Sequence, residues 1–325
     1  MVREGRQEFS DWVTLLFFLV TAITVVIFID VARKWPPLME KWTDLDLAMG
    51  SYSFPSGLRK KLKLVTVAIL GAAIVEHALF IAVVFKSCGR GDSFMDSMDR
   101  YFQFRFDYVF TLITYNAVWG VFFQILNLFS TISWNFMDLF IILMSLCLFS
   151  RFKQVSQNIH FLTTKHVADE YVWRKVRQDY AHLILLCEAL DGVMSSIVMV
   201  SFGNNIFVVL VQLFNTLQNP PRYGVLDKTY YVYSFAFLIT RISAVALYAA
   251  NINSESKKPR YYLNTLPHYV YNVEIERLLY QTKFNTAALT GHKVFRVTRS
   301  LILRITVAIV SYELVLVQYL RLKGK

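Results

Sequence analysis

The chain has 325 residues, of which 55% are hydrophobic and 16% are aromatic, and its mean hydropathy is +0.42. The apolar residues fall in long blocks, a pattern that excludes an ordinary soluble domain. The formal net charge is +11, but the Lys and Arg residues lie between the apolar blocks and form no basic stripe typical of nucleic-acid binding. Cys88, Cys147 and Cys187 have neither paired spacing nor a CxxC unit, so neither a disulfide framework nor a zinc site is expected.

Runs of about 20 apolar residues predict membrane-spanning helices. In chain order the six predicted spans lie near 12–32, 64–85, 122–149, 195–216, 229–250 and 301–320. The first run is too long for the core of a signal peptide. We therefore predict an all-α integral membrane protein with a single membrane domain, 1–325. Three proline-containing sites are predicted to mark loops: Pro36-Pro37, Pro55-Ser56-Gly57 and Pro220-Pro221.

The loops on the two sides of these spans differ in charge. About two thirds of the Lys and Arg residues follow the first, third and fifth spans, which marks that side as cytoplasmic. Both ends of the chain are then outside, and an additional helix upstream would explain this. Segments 151–190 and 257–299 mix charged and apolar residues at helical spacing, which predicts helical extensions into a cytoplasmic bundle. The apolar segment 107–123 fits either a longer third helix or a separate extracellular or tilted segment.

The last predicted helix contains Ser311-Tyr312, five further residues, and then Gln318-Tyr319. This pattern resembles the signature that closes insect gustatory receptors, which is Thr-Tyr, five mostly apolar residues and Gln-Phe. Ser311 keeps the hydroxyl group and Tyr319 keeps the aromatic ring. Further segments resemble the sugar receptors of this family, of the trehalose type, and they occur in the same order at 76–79, 134–139, 204–205, 252–257 and 273–278.

The resemblance implies a fold of seven membrane helices with a cytoplasmic N-terminus and an extracellular C-terminus, so this chain would begin at the second helix. It also implies a homo- or hetero-tetramer in the plasma membrane of chemosensory neurons. Such a receptor is a non-selective cation channel opened by a sugar, and not an enzyme. The expected partners are a small sugar, permeant cations, the lipid bilayer and other receptor subunits. Nucleic acid, cofactors, metal ions and catalytic residues are not expected.

The family's pore role falls on one face of the last helix, through Ser311, Leu314, Val315 and Gln318. Their spacing independently places all four on that face. Aliphatic side chains can close a narrow pore by excluding water, and hydroxyl and amide groups can replace part of an ion's hydration. Alternatively, Ser311 and Gln318 make hydrogen bonds between helices. Glu313 either attracts ions or pairs with a neighbouring helix.

Polar residues on three predicted helices lie at a similar depth in the membrane. They are Glu76, His77, Trp134, Asn135, Asp138, Asn204, Asn205 and Gln212. Carboxylates and amides suit sugar hydroxyls, and the apolar face of a pyranose can stack on an aromatic ring, for which Trp134 and Tyr115 are candidates. Taken singly, each residue could instead be a packing partner, His77 above all. Arg241 is predicted to form a structural ion pair with Glu76 or Asp138.

Two other classes of protein would also place polar residues inside membrane helices. A secondary transporter for a sugar or a cation would favour repeated halves and helices broken by Gly or Pro. A membrane enzyme would favour a motif such as HExxH or GxSxG. Since the sequence shows none of these patterns clearly, the channel is the preferred hypothesis.

Overall fold

The computed structural model describes residues 2–52, 55, 57–89, 93–218 and 224–323 as a bundle of long helices. In chain order these are α1 (Val2–Ala48), α2 (Leu58–Ser87), α3 (Phe94–Arg105), α4 (Asp107–Phe110), α5 (Ala117–Thr164), α6 (Glu170–Gln218), α7 (Val225–Leu263), α8 (Val273–Phe284) and α9 (Arg299–Lys323). A 3-10 turn, His268–Val270, precedes α8. Strands β1 (Thr290–Gly291) and β2 (Phe295–Arg296) form a small antiparallel hairpin before α9.

Five helices have stretches long and apolar enough to cross a membrane. These are Trp12–Ala48, Leu58–Ser87, Ala117–Thr164, Glu170–Asn215 and Val225–Leu263. They contain the first five predicted spans and confirm the all-α membrane fold. At 48 and 49 residues, α5 and α6 are longer than a hydrocarbon core of about 30 Å requires, so both extend beyond it. The sixth predicted span falls on α9, where several side chains lie outside the described residues, and it stays a prediction.

The loop predicted at Pro36-Pro37 is wrong, because α1 continues through both prolines. A proline inside a helix costs about 3 kcal/mol, since it removes a backbone hydrogen bond and its ring crowds the preceding turn. Val31, Leu38 and Leu45 recur every two helical turns and are buried in the main core. Their packing offsets the cost of the prolines and keeps α1 continuous.

The turn between α1 and α2 falls where the sequence predicts a loop. Gly57 has a φ of +84°, a left-handed conformation that glycine adopts at little cost. Pro55 lies in this turn, and Ser56 is outside the described residues. The third predicted loop, at Pro220-Pro221, is also outside them. The chain therefore reverses direction at a position where glycine provides the required backbone freedom.

The segment 107–123, which the sequence left open, begins with the short helix α4, and α3 comes just before it. Asn116 begins α5 by accepting a hydrogen bond from the backbone N–H of Val118, so 107–123 is not a simple extension of the third span. Tyr101, Phe102 and Phe106 form a small hydrophobic cluster that is separate from the main core. This cluster packs α3 and α4 against α2 and α5.

The main hydrophobic core lies in the half of the bundle that is predicted to be cytoplasmic, where α1, α5, α6, α7 and α8 meet. Tyr180 is buried there, and its hydroxyl donates to the backbone carbonyl of Ser256 at 2.9 Å, which joins α6 to α7. Trp173 is also buried, and its Nε1 donates to the carbonyl of Val167 at 2.7 Å at the start of α6. These contacts make this half the densely packed end of the protein.

A buried carboxylate joins α8 to α6 at the same end. Glu274 accepts hydrogen bonds from Arg177 Nε at 2.5 Å and from Arg277 Nη1 at 3.0 Å. Arg174 Nε lies 3.9 Å from the same carboxylate. The hydrogen bond and charge of Arg177, with the charge of Arg277, hold the pKa of Glu274 below its ordinary value. The negative charge of Glu274 therefore stabilises the contact between these helices.

Glu274→Gln keeps the size of the side chain but removes this charge, so we expect a lower thermal unfolding temperature for the purified protein. Because the pKa of Glu274 is lowered in the folded protein, its stabilising effect is present above the ordinary carboxyl pKa and is lost as the pH falls through the folded-state value. The difference from wild type should therefore shrink in acid. Glu276→Gln, at an exposed position of the same helix, is the control. Equal effects of the two substitutions would contradict this account.

Candidate functional site

A cavity of about 320 Å³ lies between α1, α2, α5, α6 and α7 and the end of α3, in the half of the bundle away from the main core. Its volume is near the lower limit of the range typical of small-molecule sites. The aromatic side chains that line it are Phe17, Phe18, Phe80, Trp134, Phe207, Tyr230 and Phe237. The polar ones are Thr14, Glu76, His77, Arg105, Asn127, Thr131, Asn135, Asn204, Gln212, Ser234 and Arg241. Rings and hydrogen-bonding groups thus share one small space.

An ion pair between Asp138 and Arg241 lies between this cavity and the main core. Arg241 Nε is 2.8 Å from Asp138 Oδ2, and the two side chains are 3% and 0% exposed. Ser201 Oγ donates to Asp138 Oδ1 at 2.5 Å, and Asn205 Nδ2 lies 3.2 Å from both carboxylate oxygens. A buried charge is tolerated when it is both paired and hydrogen-bonded. Asp138 satisfies both conditions.

The guanidinium group of Arg241 also reaches the wall of the cavity. Its Nη1 donates to Asn135 Oδ1 at 2.5 Å, and its Nη2 donates to Asn205 Oδ1 at 3.4 Å. Its Cζ lies 4.5 Å from the centre of the Trp134 ring, within range of a cation–π interaction. Arg241 therefore holds Asn135 and Trp134 in place, and both of these residues line the cavity.

The indole of Trp134 combines an aromatic ring with a free hydrogen-bond donor. Phe17 approaches the ring edge-on, with 6.2 Å between centroids. Within the described part of the chain, Trp134 Nε1 is buried and has no hydrogen-bond partner. A buried donor left without a partner is unfavourable, so an acceptor placed in the cavity would stabilise this group.

A chain of hydrogen bonds crosses the opposite wall from α2 through α7 to α6. Ser234 Oγ donates to Glu76 Oε1 at 3.0 Å, and Gln212 Nε2 donates to Ser234 Oγ at 3.3 Å. Glu76 makes no ion pair with any described residue and lines the cavity. An ionised carboxylate can accept several hydrogen bonds, so Glu76 has acceptor capacity left for a ligand.

Arg105 and His77 lie at another part of the wall, and both are close to the ring of Phe80. Arg105 Cζ is 5.1 Å from the centre of the Phe80 ring, and the His77 ring is 6.3 Å from it. Arg105 Nη2 donates to Asn127 Oδ1 at 3.4 Å. The positive charge of Arg105 offsets the negative charge of Glu76, and Arg241 is already paired. The formal charges at the cavity therefore cancel.

The structure brings most of the predicted ligand-binding residues to this cavity. Those that line it are Glu76, His77, Trp134, Asn135, Asn204 and Gln212, together with Arg241. Asp138 and Asn205 lie behind the wall in the ion-pair cluster. Of the two partners considered for Arg241, Asp138 makes the direct contact.

Tyr115 does not belong to this cavity. Its hydroxyl donates to Asp99 Oδ1 at 2.5 Å, and its ring packs edge-on against Phe110 with 5.0 Å between centroids. The reason is that Tyr115 precedes the start of α5, and the loop there turns its side chain toward α3 and α4. The stacking role predicted for Tyr115 therefore has no place in this cavity, and Trp134 remains the candidate platform.

Sequence reasoning missed several residues of the wall, among them Arg105, Tyr230 and Ser234. Tyr230, Ser234 and Arg241 share one face of α7 at helical spacing, so a search from Arg241 along that face could have found the other two. Arg105 had no comparable signal. It ends α3, and the position of α3 depends on tertiary packing rather than on a local pattern.

The four predicted pore residues, Ser311, Leu314, Val315 and Gln318, are all exposed on α9. Leu314 and Val315 have 59% and 64% of their surface exposed. The first turns of α9 pack against the core through Leu301, Ile302 and Ile305. The side chain of Glu313 lies outside the described residues. One chain by itself therefore leaves this row of aliphatic and polar side chains without a protein partner among the described residues.

Comparison with known proteins gives the family. The sequence profile of the trehalose receptor matches residues 2–323. The chain belongs to this insect sugar gustatory receptor family. It is 35% identical over 322 residues to the gustatory receptor for sugar taste 64a of Drosophila melanogaster, covering 95% of this chain and 69% of that protein. It is 27% identical to the gustatory receptor 5a for trehalose of the same species, covering 90% and 66% respectively.

A third relative, the gustatory receptor for sugar taste 64f of Drosophila melanogaster, is 32% identical, with 91% of this chain and 63% of that protein covered. The receptor thus spans about two thirds of the length of these relatives. Its structure resembles that of the insect olfactory receptor OR5 from Machilis hrabei in complex with eugenol, with a TM-score of 0.64 and 14% identity. That match covers 93% of this chain and 79% of the other, and it shows that the two proteins share a fold.

The ion pair leads to a prediction about the stability of the receptor. Asp138→Leu or Arg241→Met leaves one buried charge without its partner, so we expect each to cost about 3–5 kcal/mol. Size-exclusion chromatography and thermal unfolding of the purified protein would show the loss. The double substitution removes both charges and should recover part of it. Lys228→Met, at an exposed position of α7, is the control, and losses that simply add in the double variant would contradict the pairing.

Proposed function

We propose that this receptor is a subunit of a non-selective cation channel that a sugar opens in the plasma membrane of chemosensory neurons. The observation that carries the proposal is the cavity, which combines the Trp134 ring, the Glu76 carboxylate and a buried indole N–H without a partner. A sugar offers hydroxyl groups to such polar atoms and an apolar C–H face to such a ring. The names of the relatives, receptors for sugar taste and for trehalose, support the same ligand class.

The charges and size of the cavity support a small neutral ligand. A net charge on the ligand would face no opposite net charge in the wall, because Glu76 and Arg105 cancel and Arg241 is paired with Asp138. A volume of about 320 Å³ suits a mono- or disaccharide better than a longer chain. We therefore expect uncharged sugars to be better ligands than sugar acids or amino sugars.

In the proposed channel four subunits, identical or mixed, surround one pore lined by α9. Leu314 and Val315 close the pore by excluding water, and Ser311 and Gln318 replace part of the hydration of a passing ion. The exposure of all four side chains in the single chain supports this arrangement. The chain forms one membrane domain, 1–325, and the extensions at 151–190 and 257–299 pack the subunits together on the cytoplasmic side.

Helix α7 offers a direct connection from the cavity to the pore helix. Ser234 and Arg241 line the cavity, and further along the same helix Asn251 Oδ1 accepts a hydrogen bond from Arg299 Nη2 at 3.2 Å. Arg299 is the first residue of α9. At about 1.5 Å per residue, Asn251 lies about 15 Å from Arg241 along one helix. A sugar that binds more tightly to the open arrangement of α7 would shift the population toward the open channel.

The test of this function is a recording of whole-cell current from cells that express the receptor. It is made with and without the N-terminal region of a relative fused to the chain, while a panel of mono- and disaccharides is applied. We expect a sugar-evoked cation current. Trp134→Leu and Glu76→Gln should raise the half-maximal sugar concentration at least tenfold, because each removes a contact with the ligand. The controls are Trp119→Leu and Glu170→Gln, at exposed positions outside the cavity. Accumulation of labelled sugar without current would favour a transporter instead.

The pore assignment can be tested separately in the same cells. Gln318→Ala should change the relative permeability of Na⁺, K⁺ and Ca²⁺ by a few-fold, and leave the half-maximal sugar concentration nearly unchanged. The reason is that Gln318 would contact ions and not the ligand. Thr306→Ala is the control, since Thr306 lies about 120° away from Gln318 around α9. Unchanged permeability ratios, with an altered sugar response, would move Gln318 out of the pore.

A further inference from the structure

We infer that Arg105 and His77 form a polar subsite that holds one hydroxyl group of the sugar and thereby determines which sugars the receptor accepts. This inference rests on the proposed function, because it takes the ligand of the cavity to be a sugar. It goes beyond that function by assigning specificity to Arg105, a residue that lies outside the long helices of the bundle. The subsite is distinct from the stacking position at Trp134.

The first observation is a pair of polar atoms left without partners. Among the described residues, Arg105 Nε and His77 Nε2 are both buried and make no hydrogen bond. Both residues line the cavity, and both contact the ring of Phe80. Arg105 uses Nη2 for Asn127, so only part of its donor capacity is occupied. Two unsatisfied buried groups on neighbouring residues indicate the position of a missing hydrogen-bonding group.

The second observation is the chemistry of the two atoms. Arg105 Nε–H can only donate a hydrogen bond, whereas Nε2 of a neutral imidazole with its proton on Nδ1 can accept one. A hydroxyl group both accepts and donates, so a single sugar hydroxyl satisfies Arg105 and His77 together. A carboxylate cannot donate to His77, and an ammonium group cannot accept from Arg105. The pair therefore selects a neutral hydroxyl.

The third observation is that Arg105 is held firmly although it lies at the end of a short helix. Its guanidinium group is within range of cation–π interactions with two rings, since Cζ lies 5.1 Å from the centre of Phe80 and 5.6 Å from that of Phe106. The ring of Phe102 lies directly over Gly120 of α5, where an added Cβ would come within 2.7 Å of that ring. This close approach docks α3 on α5. Arg105 thus has the fixed position that a specificity-determining contact requires.

The experiment measures sugar binding rather than current, so that it does not depend on channel opening. The purified full chain is titrated by thermal shift with its best sugar and with each single-deoxy analogue of that sugar. In the wild type we expect one deoxy position to weaken binding about tenfold through loss of the hydroxyl at this subsite. Arg105→Met and His77→Phe should weaken binding of the parent sugar about tenfold and remove the further effect of that one deoxy position. The loss of affinity caused by removing a hydroxyl group at the other positions of the sugar should persist in these variants.

Arg100→Met, at an exposed position of the same helix, is the matched control and should bind every sugar like the wild type. If the variants weaken the parent sugar and all deoxy analogues by the same factor, Arg105 and His77 act only on the shape of the protein, and the inference is wrong. Preferential binding of a sugar acid to the wild type would also overturn it. If no sugar binds the wild type at all, the proposed function itself fails, which is a different outcome from a failure of the subsite alone.

Discussion

Asp138 and Arg241 carry opposite charges in the middle of helices that are otherwise apolar enough to cross a membrane, and both side chains are buried. An isolated charge in such a place is very unfavourable. Helices α5, α6 and α7 therefore have to approach until Ser201 and Asn205 reach the carboxylate and Asn135 reaches the guanidinium group. This requirement fixes three helices at one level and sets the boundary of the cavity.

On either side of this boundary the polar groups behave differently. Toward the main core, the buried carboxylate of Glu274 is paired with arginines of α6 and α8. Toward the cavity, the indole N–H of Trp134 and the ring nitrogen of His77 stay buried without partners in the described part of the chain. Paired groups hold helices together, whereas unpaired groups raise the energy of the empty cavity and lower it again when a ligand supplies the missing hydrogen bonds. The same fold thus separates residues that maintain structure from residues that can bind.

The sequence predicted the features that depend on local pattern. The long apolar blocks gave the positions of the first five spans. The depth estimated along each helix placed Glu76, Trp134 and Asn204 at one level. The depth of a residue in the membrane does not give the rotation of its helix. The sequence therefore could not show that Asp138 lies behind the cavity wall and not in it. Pro36-Pro37 was misread because tertiary packing outweighs the local cost of proline. Arg105 was missed because the cluster that positions α3 forms between segments far apart in the chain.

Because Arg105 lies outside the main core, its position affects how substitutions can alter the ligand specificity of the cavity. A substitution near the ion pair risks leaving a buried charge without a partner, and the whole bundle depends on that pair. The segment that carries Arg105 is held by its own cluster around Phe102 and Phe106, apart from the main core. A change there alters one wall of the cavity and leaves the packing of α5, α6 and α7 intact. In the proposed channel, specificity can therefore vary at α3 while the helices that connect the cavity to the pore keep their arrangement.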